Sequence, residues 1–140
     1  MSVGIDVIDN DHRKLLNLLN DLKDINSDST AKTATIGSVL SELIDYTVYH
    51  FGREEVMMEA CDYPQTEIHK RMHQTFKAQV QATMEEFNKD PDSWDPRVLS
   101  LFLRDWLLEH IMGMDKDYEQ WMRNNINAVK EANRNFENTC

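Results

Sequence analysis

Residues that break regular structure are scarce in this chain. Of 140 residues only 4 are glycine and 3 are proline, too few for the turns of a sandwich or barrel built from many short strands. Cysteine is rarer still: Cys61 and Cys140 lie far apart and neither has a CxxC neighbour, so no disulfide framework follows. Positive charge is short as well. A formal net charge of -10 repels phosphate backbones and anionic lipid, which argues against nucleic acid and membrane surfaces as partners. No run approaches the ~20 apolar residues needed to cross a bilayer. Residues 1–20 hold His12 and Arg13 among several acids, with no apolar signal segment. The chain is expected to be soluble, cytoplasmic and monomeric, with no membrane insertion.

What is present favours helix. Hydrophobic residues make up 41% and charged residues 29%, an ordinary globular balance, and the length suits one domain with a real core. Apolar residues at three- and four-residue intervals predict four helices. The first spans about Asn10 to Asp24 with Leu15, Leu16, Leu18, Leu19 and Leu22, and the polar run Asn26–Thr30 ends it. The second spans about Thr33 to Ala60 with Leu40, Leu43, Ile44, Thr47, Phe51 and Met58. Pro64 stops it by disfavouring helical geometry at Tyr63. The third spans about Gln65 to Asn88 with Met72, Phe76, Val80, Met84 and Phe87 on one face. Asp95 then reads as an N-cap with Pro96 at the first helical position. The fourth helix runs to about Met114 with Leu99, Phe102, Leu103, Trp106, Leu107 and Ile111. Residues 116–140 read as a short extension that can form one more short helix and whose last residues fray. Amphipathic helices joined by short connections bury their stripes by packing antiparallel. The expected fold is all-α: an up-down-up-down four-helix bundle, one domain over 1–140 with its core at about 10–115.

Five histidines sit on or beside the apolar stripes: His12, His50, His69, His73 and His110. A single such histidine is more often a hydrogen-bonded core residue than a metal ligand, and helices produce an HxxxH pair by chance. Topology favours a site. In an antiparallel bundle the start of the first helix, the end of the second, the start of the third and the end of the fourth share one end. His12, His50 with Glu54, His69 with His73, and His110 with Asp115 occupy those four places. Burying so many imidazoles without metal leaves many polar nitrogens in need of partners. Seven donors exceed the needs of one ion and fit two. Imidazole and carboxylate together suit iron, with manganese or zinc as alternatives. Glu54 and Asp115 are the natural bridges, since a carboxylate can span two ions. Asp115 poses a difficulty, because five residues on an ideal helix place it about 140° from His110. Either the helix loosens near Gly113 through a π-bulge, or Asp115 reaches in from the helix end.

Taken together, Gly4–His12, His50–Glu55 with Met58, Tyr63–Pro64, His69–His73 and Trp106–Ile111 with Asp115 resemble the hemerythrin family, in its bacterial form. The resemblance spans about residues 4–120 and fills all seven ligand positions. It implies two non-haem iron ions (Fe2+/Fe3+) with a bridging oxo or hydroxo group. His69, His73 and His110 would hold one ion, His12 and His50 the other, and Glu54 and Asp115 would bridge. It implies reversible dioxygen binding for carriage or storage, with no enzymatic turnover. A sensor domain coupled to a partner, a diiron peroxidase or a nitric oxide scavenger remain as alternatives. Leu15, Leu19, Phe51, Phe76, Trp106 and Ile111 are the expected pocket lining, a set that plain core packing would also produce.

Overall fold

The computed structural model describes residues 2, 4–25, 32–93 and 95–139, without the side chains of 32–34 and 96. The Asn26–Thr30 break and Cys140 lie outside the described residues. Helix α1 (Asp6–Lys23) begins ahead of the expected Asn10. Ile8, His12, Leu15 and Leu19 are all buried, so the stripe runs back through the first turn at helical spacing.

Helices α2 (Lys32–Ala60) and α3 (Thr66–Lys89) end within a residue of expectation. Their junction is closed by two crossed backbone bonds. The Asp62 N–H donates to the Glu59 carbonyl at 3.2 Å and the Tyr63 N–H to the Met58 carbonyl at 3.1 Å. Asp62 takes a φ of 53°, the left-handed conformation that this closure needs. Tyr63 and Met58 are buried in the same apolar cluster, the contact that usually accompanies such a stop.

A 3₁₀ turn at Pro91–Ser93 leads to α4 (Pro96–Glu109), where the Asp95 side chain accepts from the Arg97 N–H at 2.9 Å. The coil then widens, and His110–Asp115 is π-helical. Helices α5 (Glu119–Asn124) and α6 (Ile126–Thr139) follow. Residues 116–139 thus carry two helices where one further short helix was expected, and α6 stays helical to Thr139 rather than fraying. Helix α6 packs along α2 through a narrow seam in which Val129 is fully buried and Phe136 meets the Tyr49 ring at 5.0 Å. The polar residues around that seam mask it in the sequence.

Helix α1 packs against α2 and α4, and α2 also packs against α3. Helices α3 and α4 meet where Phe76 stacks on Trp106 at 3.6 Å. The Ser100 hydroxyl donates to the Leu19 carbonyl at 2.7 Å, tying α4 to α1. The result is an all-α bundle. Met72 and Phe102, expected on core faces, are 38% and 54% exposed. The buried face of α3 instead passes through His69, His73, Phe76 and Val80, and that of α4 through Leu99, Leu103 and Leu107. No described helix is long and apolar enough to cross a membrane.

The buried apolar residues form two clusters rather than one. The larger holds Leu15, Leu19, Phe51, Phe76, Leu103 and Ile111 among others. The smaller holds Ile5, Ile8, Met57, Met58, Tyr63, Tyr118 and Met122 with Cys61 and Val129. The expected metal donors lie where the two clusters meet: His12 between Ile8 and Leu15, Glu54 between Phe51 and Met57, His69 and His73 between Tyr63 and Phe76, and Asp115 between Ile111 and Tyr118.

Candidate metal centre

All seven expected donors are buried, with no more than 4% exposure, and the bundle brings them together. His12 comes from α1, His50 and Glu54 from α2, His69 and His73 from α3, and His110 and Asp115 from the two ends of the π-helical turn. In that wider coil residues five apart become hydrogen-bonding neighbours. This is how Asp115 comes to share a face with His110, their donor atoms 3.0 Å apart.

Each imidazole turns Nε2 inward, and the carboxylate oxygens sort the imidazoles into two groups. Glu54 Oε1 lies 2.7 Å from His50 and 3.5 Å from His12, whereas Oε2 lies 3.3 Å from His69 and 3.1 Å from His73. Asp115 divides the same way. Its Oδ2 lies 3.0 Å from His12, and its Oδ1 lies 2.9 Å from His69 and 3.0 Å from His110. Two overlapping donor sets result, one of Glu54, His69, His73, His110 and Asp115, the other of His12, His50, Glu54 and Asp115.

Spacing and unsatisfied atoms test whether metal fits. Neighbouring ligands on one ion, at bonds of ~2.1 Å, stand ~3.0 Å apart. His69 and His73 each place Nε2 3.2 Å from that of His110. Six buried donor-residue atoms have no hydrogen bond among the described residues: His50 Nε2, Glu54 Oε2 and Asp115 Oδ1 on the inner side, where a metal ion relieves the cost, and Nδ1 of His12, His69 and His110 on the outer side. The donor set fits a pair of ions.

The electrostatics are those of tightly paired opposite charges. Burial pushes Glu54 and Asp115 up, but the surrounding imidazoles outweigh it and hold both carboxyls below their ordinary range. Burial likewise pushes His12, His50 and His69 down. Glu54 and Asp11 override this at His50, raising it to about 10, and Asp115 and Glu54 raise His69 to about 9. His12 is raised by hydrogen bonds to Asp115 and Glu54.

The surrounding shell combines the expected apolar lining with polar partners. Phe51 stacks on His73 at 3.7 Å and Trp106 on His110 at 4.9 Å. Phe76 reaches the histidines only through those two rings, while Leu15, Leu19 and Ile111 sit in the larger apolar cluster. Four polar partners carry no distinguishing mark in the sequence. Asp11 Oδ2 accepts from His50 Nδ1 at 2.8 Å, Glu55 from His73 Nδ1 at 3.1 Å, Arg53 donates to Asp11, and the Tyr118 hydroxyl donates to Glu54 at 3.2 Å. Asp11, Arg53 and Glu55 each adjoin a donor in sequence, but surface acids and bases surround them, so charge alone does not mark them.

The fold and this belt define an α-helical bundle able to hold metal between its helices. The chain belongs to the hemerythrin family: the family described as "Hemerythrin HHE cation binding domain" matches residues 3–122. It is 35% identical over 127 residues to a bacteriohemerythrin of Stenotrophomonas maltophilia, covering 91% of this chain and 80% of that one. It is 32% identical over 119 residues to a bacteriohemerythrin of Clostridium acetobutylicum, covering 83% and 92%. A crystal structure of wild-type hemerythrin superposes with a TM-score of 0.75 at 29% identity, covering 84% of this chain and 88% of that one.

Proposed function

We propose that the chain binds dioxygen reversibly at a carboxylate-bridged pair of non-haem irons, for carriage or storage. One observation carries the reading: Glu54 and Asp115 each present one oxygen to a three-imidazole group and the other to a two-imidazole group. His69, His73 and His110 would hold one iron and His12 and His50 the other, with both carboxylates shared. The second set supplies one protein donor fewer, which is the asymmetry a small exogenous ligand needs. When bound, the iron pair supplies two electrons and a coordination position for dioxygen.

The chain's own residues tune that chemistry. Five neutral imidazoles against two carboxylates bring little negative charge, which favours binding over oxidative turnover. Phe51 and Trp106 lie flat against His73 and His110, excluding water from that flank and limiting proton access. Tyr118 donates to Glu54 Oε1 from the other side and fixes the carboxylate's rotation. Burial and the charges of Asp115 and Glu54 raise this phenol far above its ordinary range, so it remains a donor.

An optical titration of the reduced, iron-loaded protein tests the proposal. A visible charge-transfer band should appear with oxygen and fade on degassing, at two irons per chain. Immediate irreversible oxidation to the diferric state would rule out carriage, and rapid peroxide turnover would move the assignment to an enzyme. Glu54→Ala should abolish the pair, and retention of two irons in that variant would show the bridge assignment to be wrong.

A further inference from the structure

Arg53 sits next to Glu54, yet its guanidinium bonds to Asp11, Tyr49, Asn133 and Glu137 and not to a described metal donor, and it is 4% exposed. A buried guanidinium keeps its charge and must be fully partnered. Its Nε donates to Asp11 Oδ2 at 2.8 Å, Nη2 to the Tyr49 hydroxyl at 2.9 Å, and Nη1 to Glu137 at 2.8 Å and to Asn133. Its plane also lies over the Phe136 ring, 5.5 Å from the centroid. Asn133, Phe136 and Glu137 are three and four residues apart and share one face of α6. Close approach of that helix is possible because position 52 is glycine: a Cβ there would stand 3.1 Å from Phe136.

We propose that Arg53 is a positioning residue for His50, acting through Asp11, and that helix α6 holds Arg53 in place. The C-terminal helix thereby belongs to the outer shell of the two-imidazole half of the centre, a role that rests on the two-metal reading above. The same Asp11 oxygen accepts from Arg53 Nε and from His50 Nδ1, each at 2.8 Å, while Tyr46 donates to the other oxygen. Asp11 thus keeps the His50 proton on Nδ1 and leaves Nε2 facing Glu54. Arg53 fixes where that Asp11 oxygen lies, and so fixes the plane of the ring. The opposite half is built differently. The carboxylate behind His73 is Glu55, itself 20% exposed, and no described arginine stands behind it. Loosening Arg53 should therefore affect one half of the centre and spare the other, whereas a merely structural ion pair would weaken both halves together.

The full-length chain and three variants provide the test. Glu137→Gln touches only an exposed partner and should fold normally, Arg53→Met removes the link, and Arg53→Lys keeps the charge but loses the planar fork that reaches Asp11 and α6 at once. Two measurements are made: proton exchange at His50 Nδ1 in the apoprotein by nitrogen-edited NMR, and stepwise Co2+ affinities by optical titration. In Arg53→Met, His50 exchange should quicken at least ~10-fold and one cobalt step weaken by ~10–100-fold, as for loss of an outer-shell partner. The other step should change by less than ~3-fold on the same scale. Arg53→Lys should not restore the lost step, and Glu137→Gln should fall between Arg53→Met and wild type. Equal weakening of both steps, or unchanged exchange and affinities, overturns the proposal. A wild-type protein that takes fewer than two cobalt ions would instead overturn the two-metal reading, and His50 exchange alone would then decide the role of Arg53.

Discussion

Loading the centre with metal should expel protons. His50 and His69, raised to about 10 and about 9, are almost fully protonated in the apoprotein at pH 7.5. Each must give up the proton on Nε2 before that nitrogen can donate to a metal, while His50 retains the one that Asp11 holds on Nδ1. Two displaced protons imply that the overall loading constant rises ~100-fold per pH unit up to about pH 9, then ~10-fold per unit until His50 has titrated. Zn2+ added to weakly buffered apoprotein at pH 7.5, with back-titration of the acid produced, should release at least about two protons per chain, with His12, also raised, adding to them. Release of fewer than one, or a loading constant that does not change between pH 7 and 9, would refute the reasoning. Stability should follow the same groups. Those two histidines have raised values, so their contribution is complete below about pH 6.5 and disappears as pH climbs through 9 and 10. Glu54 and Asp115 are depressed, so theirs is present above the ordinary carboxylate range and disappears in acid. Urea denaturation of the apoprotein should therefore show greatest stability in mildly acidic solution, and metal should shift the optimum upward.

Three substitutions probe the frame around the centre. Phe51→Ala removes a ring that is 1% exposed and stacked on His73, and should cost about 3–5 kcal/mol in urea denaturation. Tyr118→Phe deletes the donor to Glu54 and should cost about 1–3 kcal/mol in the apoprotein, with two irons per chain still retained on assay. Gly4→Ala places a Cβ at φ +75°, 2.2 Å from the Arg123 guanidinium. The arginine can move aside but the backbone cannot, so a loss of about 1–2 kcal/mol is expected on thermal melting.

The helices were legible because their apolar spacing and their punctuation agree. Asp95–Pro96 starts α4, and the chain around Asp62–Pro64 stops α2, by local chemistry that needs no tertiary context. The convergence of the donors was legible because connectivity alone brings the relevant helix ends together. Three things were hidden. The π-helical turn could be inferred only as one of two ways to reconcile His110 with Asp115, since the contacts of Asp115 with His12, His69 and His110 come from residues distant in sequence or on another turn and exist only in the folded bundle. Helix α6 was obscured because its buried seam is narrow and its remaining surface polar. Arg53 resembled its charged neighbours because burial, not residue type, sets it apart, and α6 is what buries it.

The donor belt also bears on how the protein holds together. It crosses the bundle between two apolar clusters, so each cluster packs against its own kind on one side and against ionisable groups on the other. Hydrophobic contact alone does not make such halves melt together. Seven side chains drawn from four helices and bound to shared ions would act as a cross-brace, coupling the Tyr63–Tyr118 end to the leucine-rich end. Metal would then contribute cooperativity as well as stability. Amide exchange in the smaller cluster should resemble that of a detachable subdomain without metal, and rise to the protection of the whole fold once metal is bound.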